Sequence, residues 1–479
     1  MRKFYGFLVV VLACLTIQCT AKKQTAGEPD ENPLNLDKGD ISGVLVVDVE
    51  TKDTICAFQS DYRLRPASMT KVFTTVAALN ELGPEYGFET KVLLSGAQID
   101  GSSFAGDIII EGGGDPTLGS KYFDETAENL LFQKIYAALI EKGIKKVEGR
   151  LLVKTDFFSA PVYPSKRLWE DMGNYYGAPP SSLSFLDNSI TVSLSSPDKI
   201  GGLCTVKSCQ PDVGIEYDCL VRASQSSKDS AYIYGFNGAE KWYISGSIPA
   251  GRKSFSIKGA MPNPPLVFGN RLKSFLSQKG IVIHGNVQEL AGKSIHKPVE
   301  KLLSLESPPL SRIVEVLNKR SINLFADHLL LMLGKNNGNG CWDGGTKALQ
   351  AFWNEKIGDN TLHFDDGSGL SPFNMVSPGD MVKALYWANS SSIKSVFESS
   401  LAVGGVDGTF KSIWRDDTCK GRVIGKSGSM QGVLCYCGYI KTLQNRKFAF
   451  CVMVNHFNEP FRGVRKEIEQ LVKEIITAN

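Results

Sequence analysis

The chain has 479 residues, of which 42% are hydrophobic and 22% charged, and its net charge is +3. This length exceeds one ordinary hydrophobic core, so the composition predicts a globular protein of two or three domains. The small net charge and the lack of a basic cluster argue against a nucleic-acid partner.

Residues 1–21 have the pattern of an export signal, with a positively charged start and an apolar segment too short to predict a membrane-spanning helix. Two ways of processing it remain open. In one, cleavage follows Ala21. In the other, Cys19 or Cys14 carries a lipid anchor, which would be the only contact with a membrane. Residues 22–37 are expected to form a polar tether.

Export permits disulfides, and Cys204, Cys209 and Cys219 lie close enough in the sequence to suggest a local bridge. Cys435 and Cys437 are expected to point to opposite faces of a strand, which argues against a metal pair. The histidines show no ligand spacing, so no metal site is predicted. These histidines are His284, His296, His328, His363 and His456.

Residues 41–49 and 54–59 form a predicted β-hairpin. It leads to a run in which Ser68 is followed by Lys71. If the run is helical, the two residues share a face and the Lys71 amine can reach the Ser68 hydroxyl. A buried lysine with a lowered pKa can take the proton of a serine and make it a nucleophile. The buried side of this helix is predicted to comprise Val72, Phe73, Val76, Ala77 and Leu79.

From residue 91 the sequence changes to short β-like runs separated by glycine, aspartate and proline. Strands are predicted at residues 107–111, 149–153, 189–194 and 242–245. A helix is predicted over residues 124–142, with an inward face of Leu130, Leu131, Ile135, Leu139 and Ile140.

Helices return after residue 262, and strands and a helix close the chain. The predicted helices cover residues 268–279, 310–320, 324–333 and 378–389. The predicted strands cover residues 434–440 and 448–454. The closing amphipathic helix has an inward face of Val464, Ile468, Leu471, Val472 and Ile475.

The economical fold is one sheet built from both ends of the chain and flanked by helices. On this interpretation, residues 38–90 and 263–479 form the main domain. Residues 91–262 form a β-rich insertion, with a nested domain at about residues 157–250.

Ser321 and Asn323 lie on a short connector between two predicted helices. Because they are two residues apart, both side chains can face one cleft. In the alternative, Ser321 is a helix cap that accepts a hydrogen bond from an early amide of the next helix. Taken alone, the motif favours the cap.

The stretch Gly-Lys-Ser-Gly-Ser at residues 425–429 opens a predicted strand. Lys426 and Ser427 can hold a carboxylate and a carbonyl, and the small residues let a substrate lie along the strand edge. A phosphate-binding loop is excluded, because only three residues separate Gly421 from Gly425 and a strand follows. An ordinary turn between strands remains the alternative.

The three motifs S-x-x-K, S-x-N and K-[ST]-G occur in this order and fall on a helix start, an interhelical loop and a strand. Together they are the known signature of penicillin-binding proteins and class A β-lactamases. The chain resembles the D-alanyl-D-alanine carboxypeptidase/endopeptidase family, the class C low-molecular-mass penicillin-binding proteins of the PBP4/DacB kind. Further stretches that match this family are residues 112–118, 176–184, 366–371 and 405–409.

The resemblance implies an α/β (α+β) fold. Its penicillin-binding, β-lactamase-like transpeptidase domain would have a central antiparallel sheet flanked by helices, and a large β-rich insertion would form one or two extra domains. It also implies a periplasmic serine-type D-Ala-D-Ala carboxypeptidase and DD-endopeptidase that acts on peptidoglycan stem peptides and cross-links. β-Lactam antibiotics are the implied covalent inhibitors, and no cofactor is implied.

The resemblance implies a role for each motif residue. Ser68 would be the acylated nucleophile and Lys71 its general base. Ser321 would pass a proton to the leaving amine, and Asn323 would contact the substrate amide. Lys426 would bind the terminal carboxylate and hold Ser321 in place.

In the third motif, Ser427, Gly428 and Ser429 would bind substrate, and the backbone amides of Ser68 and Ser429 would form the oxyanion hole. Ser427 replaces the commoner threonine but keeps the hydroxyl, so activity is expected to survive. Asp327 stands where relatives often carry glutamate.

Two other functions remain as alternatives. A serine β-lactamase would need a glutamate motif for the deacylating water and a much smaller insertion than this chain has. A penicillin-binding sensor or cell-wall-binding module would not need the full set of catalytic groups that is present. Asp365, Asp366 and Asp407 could form carboxylate pairs, but aspartate before glycine is more typical of turns, so they stay outside the catalytic set.

Overall fold

The computed structural model describes residues 32–159, 161–292 and 299–479. The predicted export signal, its processing sites and most of the tether lie outside these residues, as does His296. Among the described residues, no helix combines the length and the apolar composition that crossing a bilayer requires.

The described residues form helices of very different lengths. In chain order they are α1 (Thr70–Leu82), α2 (Glu128–Glu141), α3 (Trp169–Met172), α4 (Pro264–Gln278), α5 (Leu310–Arg320), α6 (Asn323–Asn336), α7 (Trp342–Ile357), α8 (Pro378–Ser390), α9 (Lys394–Ser400) and α10 (Phe461–Ala478). Short 3₁₀ turns are found at Ala67–Met69, Asp124–Thr126, Tyr175–Gly177, Leu186–Asn188 and Gly408–Phe410.

The strands divide into one set near the two ends of the chain and a larger set between them. In chain order they are β1 (Ile41–Asp48), β2 (Thr54–Phe58), β3 (Glu89–Gln98), β4 (Ser103–Glu111), β5 (Lys146–Val147), β6 (Leu151–Lys154), β7 (Ser189–Ser195), β8 (Thr205–Gln210), β9 (Glu216–Cys219), β10 (Arg222–Ser224), β11 (Tyr232–Tyr234), β12 (Lys241–Ser245), β13 (Ser247–Pro249), β14 (Phe255–Ala260), β15 (Val282–Ile283), β16 (Val287–Leu290), β17 (Val299–Glu306), β18 (Ala402–Val403), β19 (Val423–Met430), β20 (Val433–Lys441) and β21 (Lys447–Asn455).

A six-stranded antiparallel sheet joins the two ends of the chain in the order β18-β19-β20-β21-β1-β2. Its central strands are buried on both faces, because helices cover each side. One face packs with α1 and α5–α8, and the other packs with α10. This arrangement confirms the predicted fold class.

Side chains along β20 alternate between these two faces. Cys435 and Cys437 both belong to the core that contains α1, whereas Leu434 and Tyr436 belong to the core that contains α10. The expectation that the two cysteines point to opposite faces was wrong, because residues two apart in a strand share a face.

The strands of the middle region form a seven-stranded sheet from β3–β6 and β15–β17, covered by α2 and α4. Its interior is apolar, with Ile108, Ile110 and Phe268 fully buried. Residues 264–292 and 299–306 pair and pack with this sheet, not with the six-stranded one. From this strand pairing we propose that the insertion ends at about residue 306, beyond the predicted boundary at residue 262.

The remaining strands, β7–β14, form three small sheets of two or three strands at the outer end of the insertion. They cover residues 189–260 and overlap most of the nested region predicted at 157–250. One of them, β11, reaches back to the cleft described below.

Several local expectations differ from the structure. Leu130 and Ile140 on α2 are exposed, and Phe132 is buried instead. Leu34, placed in the polar tether, packs into the core beside α10. The suggested disulfide is not formed, since Cys204, Cys209 and Cys219 are free thiols.

Candidate active site

Ser68 lies in the 3₁₀ turn that leads into α1, and two glycines hold this turn in place. A Cβ on Gly428 of β19 would lie 2.2 Å from the Pro66 carbonyl oxygen. A Cβ on Gly369 would lie 1.8 Å from the Ala67 carbonyl oxygen. Only glycine permits approaches this close. The turn is strained, because Ala67 has a φ of +46°.

The Lys71 amine, on the first turn of α1, is fully buried and has three polar partners. Nζ lies 2.9 Å from Ser68 Oγ, 2.7 Å from Asn323 Oδ1 and 2.5 Å from the Ser368 carbonyl oxygen. The Asn323 amide has a fixed orientation, because its Nδ2 donates to the Tyr176 carbonyl oxygen at 2.9 Å.

This geometry suits a neutral amine that acts as a base. The Asn323 and Ser368 oxygens can only accept hydrogen bonds, so they take the two N–H groups of a neutral lysine. The lone pair then faces the Ser68 hydroxyl. Burial lowers the pKa of Lys71 to about 7, although Asp327 and Asp366 raise it; Arg167 lowers it further.

Ser321 ends α5 in a left-handed conformation, with φ 57° and ψ 44°. Its hydroxyl accepts a hydrogen bond from Lys426 Nζ at 2.8 Å. The cap alternative was wrong, because α6 begins after Ile322 and has no side-chain cap. The left-handed bend turns the Ser321 side chain away from the helix end and toward β19.

Strand β19 carries the third motif along the opposite wall. Lys426 is fully buried and also donates to the Ser427 carbonyl oxygen at 2.8 Å. The Ser427 hydroxyl donates to Thr409 Oγ1 at 2.9 Å. Ser429 is exposed and lines the same cleft as Ser68.

Burial, followed by the neighbouring Lys71, lowers the pKa of Lys426 well below its usual value. Neither lysine forms an ion pair with a carboxylate in the described part of the chain. A substrate carboxylate that enters the cleft can therefore become the partner of Lys426, and its charge would favour the ammonium form.

A cleft of about 940 Å³ lies between the six-stranded sheet and the insertion, and its lining includes Ser68, Ser321, Asn323 and Ser429. The insertion supplies one wall, from α3, the Tyr175–Gly177 turn and β11. The lining residues of that wall are Leu168, Glu170, Asp171, Tyr175, Tyr176, Tyr232 and Tyr234.

The structure also places residues near Lys71 that the motif analysis did not assign to the site. Arg167 is buried, and its Nη2 lies 2.9 Å from Asp327 Oδ2 and 3.8 Å from Asp366 Oδ2. The Ser368 carbonyl oxygen belongs to the stretch at residues 366–371, which resembled the family without an assigned role. Arg167 carried no local pattern that could have indicated it.

The three aspartates kept outside the catalytic set take part in structural contacts. Asp366 accepts hydrogen bonds from the amides of Gly369 and Ser371, as a turn residue does. Asp407 accepts from the Val403 amide and pairs with Lys319. Across the described ranges, no group of three or more His, Cys, Asp or Glu side chains is arranged to hold a metal ion.

Comparison with known proteins shows that this chain matches a family profile over most of its length. A family profile described as "D-Ala-D-Ala carboxypeptidase 3 (S13) family" matches residues 33–475. The chain is 27% identical to a D-alanyl-D-alanine carboxypeptidase of Actinomadura sp. (strain R39), over 88% of this chain and 79% of the relative. It is 25% identical to the D-alanyl-D-alanine carboxypeptidase DacB of Haemophilus influenzae, over 88% and 87%.

The fold is similar to the crystal structure of penicillin binding protein 4 (dacB) from Haemophilus influenzae. The TM-score is 0.78 at 23% identity, covering 92% of this chain and 96% of that one. The same protein complexed with a β-lactam gives a TM-score of 0.74 at 22% identity, over 92% and 96%. The six-stranded sheet and the insertion are thus both parts of a shared fold.

Proposed function

The chain belongs to the D-Ala-D-Ala carboxypeptidase 3 (S13) family and is a serine peptidase, and we propose that it hydrolyses D-Ala-D-Ala bonds of peptidoglycan through an acyl-enzyme on Ser68. The observation that carries this proposal is the arrangement around the Lys71 amine. Two oxygens that can only accept hydrogen bonds contact Nζ, and Ser68 Oγ lies 2.9 Å from it, where a neutral amine would present its lone pair.

In the first step, Ser68 Oγ attacks the carbonyl carbon of the penultimate D-alanine while Lys71 takes its proton. The new C–O bond places negative charge on the carbonyl oxygen. The backbone amides of Ser68 and Ser429 would stabilise that charge, and one such donor contributes about 3 kcal/mol. Because Lys71 must be neutral, acylation should become faster as pH rises through about 7.

In the second step, the C–N bond breaks and the leaving amine needs a proton. Ser321 can relay the proton from Lys71 to the amine, and the 2.8 Å hydrogen bond from Lys426 holds its hydroxyl. Lys426 binds the carboxylate of the departing D-alanine, and Ser427 assists. Water then hydrolyses the ester and restores Ser68.

The same chemistry applies when the leaving amine belongs to a cross-linked stem peptide. The cleft volume of about 940 Å³ supports the proposal that a branched substrate can bind. The proposal therefore includes DD-endopeptidase activity. The proposed site of action is the periplasm, which agrees with the export signal of residues 1–21.

β-Lactams carry a carbonyl and a carboxylate that match Ser68 and Lys426, so they are expected to acylate Ser68 and leave slowly. A relative of the same fold has been solved with a β-lactam bound. The sequence alternatives, a β-lactamase and a penicillin-binding sensor, differ from this proposal in the fate of the acyl-enzyme and in the turnover of peptides.

The test is the intact mass of the protein after incubation with benzylpenicillin. A persistent adduct of one penicillin is expected for the wild type and for the exposed-serine control Ser102→Ala, and none for Ser68→Ala. Release of D-alanine from a D-Ala-D-Ala peptide should accompany it. A wild type without an adduct contradicts the proposal. Rapid drug destruction would identify a β-lactamase, and an adduct without peptide turnover would identify a sensor.

A further inference from the structure

Several polar contacts join the insertion to the start of α6. Arg167 pairs with Asp327, the Tyr176 carbonyl oxygen accepts from Asn323, and the Ser184 hydroxyl lies 2.7 Å from His328 Nε2. Of these contacts, only the Arg167 pair brings charge into the interior. Its side chain is 1% exposed, and that of Asp327 is fully buried.

The two carboxylates beside Arg167 organise the groups that contact Lys71. Asp327 lies on α6 one turn after Asn323, and its Oδ1 accepts from the Gly367 amide at 3.2 Å. Asp366 accepts from the Gly369 amide at 2.7 Å. Ser368, whose carbonyl oxygen receives the Lys71 amine, lies between these two anchored amides.

We propose that Arg167 is a positioning residue for the Lys71 amine: it comes from the insertion and, by pairing with Asp327 and Asp366, fixes both the geometry and the charge around the base. This inference rests on the proposed function, because it assumes that Lys71 activates Ser68. It makes the insertion part of the catalytic apparatus as well as a wall of the cleft.

The geometry of the contact supports an electrostatic role. A guanidinium that only braces two elements is expected to form paired hydrogen bonds with a carboxylate. Here a single nitrogen, Nη2, faces both carboxylates, and Nε and Nη1 have no hydrogen-bond partner among the described residues. Burying a guanidinium with two unpaired nitrogens costs stability, so the contact is a poor brace and a role for its charge is the better explanation.

Four charged groups face Lys71 from the elements packed around it. Asp327 comes from α6, Asp366 from the loop after α7, Arg167 from the insertion and Lys426 from β19. The two carboxylates favour the ammonium form of Lys71, and the two cations favour the neutral form. Removing Arg167 leaves two buried carboxylates facing the amine, which then keeps its proton to higher pH.

The experiment measures the second-order rate constant of benzylpenicillin acylation against pH in the full protein. Arg167→Met should move the acidic limb of the profile upward by about one pH unit, because an anion-rich site holds the Lys71 proton. Asp327→Asn should move the limb downward, because one anion is removed. Arg167→Lys, which keeps the charge, should stay close to the wild type.

Opposite shifts in Arg167→Met and Asp327→Asn support the proposal, because a purely structural role would slow both without moving their limbs apart. Limbs that stay at the wild-type pH, or that move together, overturn it. If Arg167→Met fails to fold, the acidic limbs of Asp327→Asn and Arg167→Lys are compared with that of the wild type. A downward shift in Asp327→Asn with an unshifted Arg167→Lys supports the proposal, and any other result overturns it. A wild type that is not acylated contradicts the proposed function itself, and this inference falls with it.

Discussion

The two large sheets of this protein differ in where their charged side chains lie. Around the six-stranded sheet, Lys71, Lys426 and Asp327 are all fully buried. Around the seven-stranded sheet, the interior is apolar and the ion pairs lie on the surface. Examples are the pairs of Lys146 with Glu148 and of Lys142 with Glu300.

This difference shows that the protein desolvates charged side chains at the cleft, although desolvation is unfavourable. A buried ion loses several kcal/mol of hydration, and pairing rarely recovers all of it. In the cleft, that cost yields a lysine with a pKa near 7, which can act as a base. In the interior of the seven-stranded sheet no chemistry requires it, and the ion pairs lie at the surface; the buried Arg167 and Asp115 of the insertion lie outside the strands of that sheet.

The largest effect is expected from removing a buried amine of the cleft. Lys426→Met keeps the length of the side chain but removes the donor to Ser321 and the partner of the substrate carboxylate. Acylation by benzylpenicillin should slow about 1,000-fold, within the range for a lost acid–base group. Lys146→Met, on the surface of the seven-stranded sheet, is the control and should stay within about twofold. A rate for Lys426→Met within tenfold of wild type would contradict the role given to Lys426.

A second test concerns the space between β19 and the Ser68 turn. Gly428→Ala would place a Cβ 2.2 Å from the Pro66 carbonyl oxygen, so the strand and the turn must move apart. A displacement of about 1 Å should slow acylation about 100-fold. Gly101→Ala, in a turn of the insertion where a Cβ meets no atom within 4 Å, should leave acylation unchanged. Equal rates for the two variants would show that the contact does not position Ser68.

The third prediction concerns stability where the insertion meets α6. Burial lowers the pKa of His328 from its usual 6.5 to about 3, so the folded protein keeps this ring neutral. Below pH 6.5, His328 binds a proton in the unfolded chain but stays neutral in the folded chain. The free energy of unfolding therefore falls as pH falls toward 3. The loss from this group should be about 1.4 kcal/mol per pH unit below 6.5.

Urea unfolding of the wild type and of His328→Gln at pH 7 and pH 5 measures this contribution. The variant should lose less stability than the wild type between the two pH values, by about 2 kcal/mol. His284→Gln, at an exposed position of the insertion, is the matched control and should follow the wild type. A His328→Gln variant with the wild-type pH dependence would rule out a neutral buried ring.

The smallest effect belongs to the exposed pairs of the insertion. Glu300→Gln removes the partner of Lys142, and both side chains are largely in solvent. The free energy of unfolding should change by less than about 0.5 kcal/mol. A larger loss of unfolding free energy, measured with urea at pH 7, would show that an exposed ion pair of the insertion is important for stability. That result would contradict the difference drawn between the two sheets.

Local sequence patterns indicated the three motifs and most of the longer helices, but few of the strands β7–β17. The motif residues were found because each lies in a short local pattern, and helices such as α1 and α5 follow from apolar periodicity. α7 was missed, because Gly344 and Gly345 at its start weaken the helical pattern. The structure explains both glycines, since a Cβ on either would meet backbone oxygens within 2.6 Å.

The packed fold alone decides how distant residues meet and how far they are removed from water. Asn323 contacts Lys71 across 252 positions of the chain, and Arg167 contacts Asp327 across 160. The pairing of β15, β16 and β17 with the inserted sheet also depends on the packed fold. Proximity and desolvation are properties of the packed chain, and they set the pKa of Lys71. A local pattern can place a lysine near a serine, but only the fold around them lowers the pKa of that lysine.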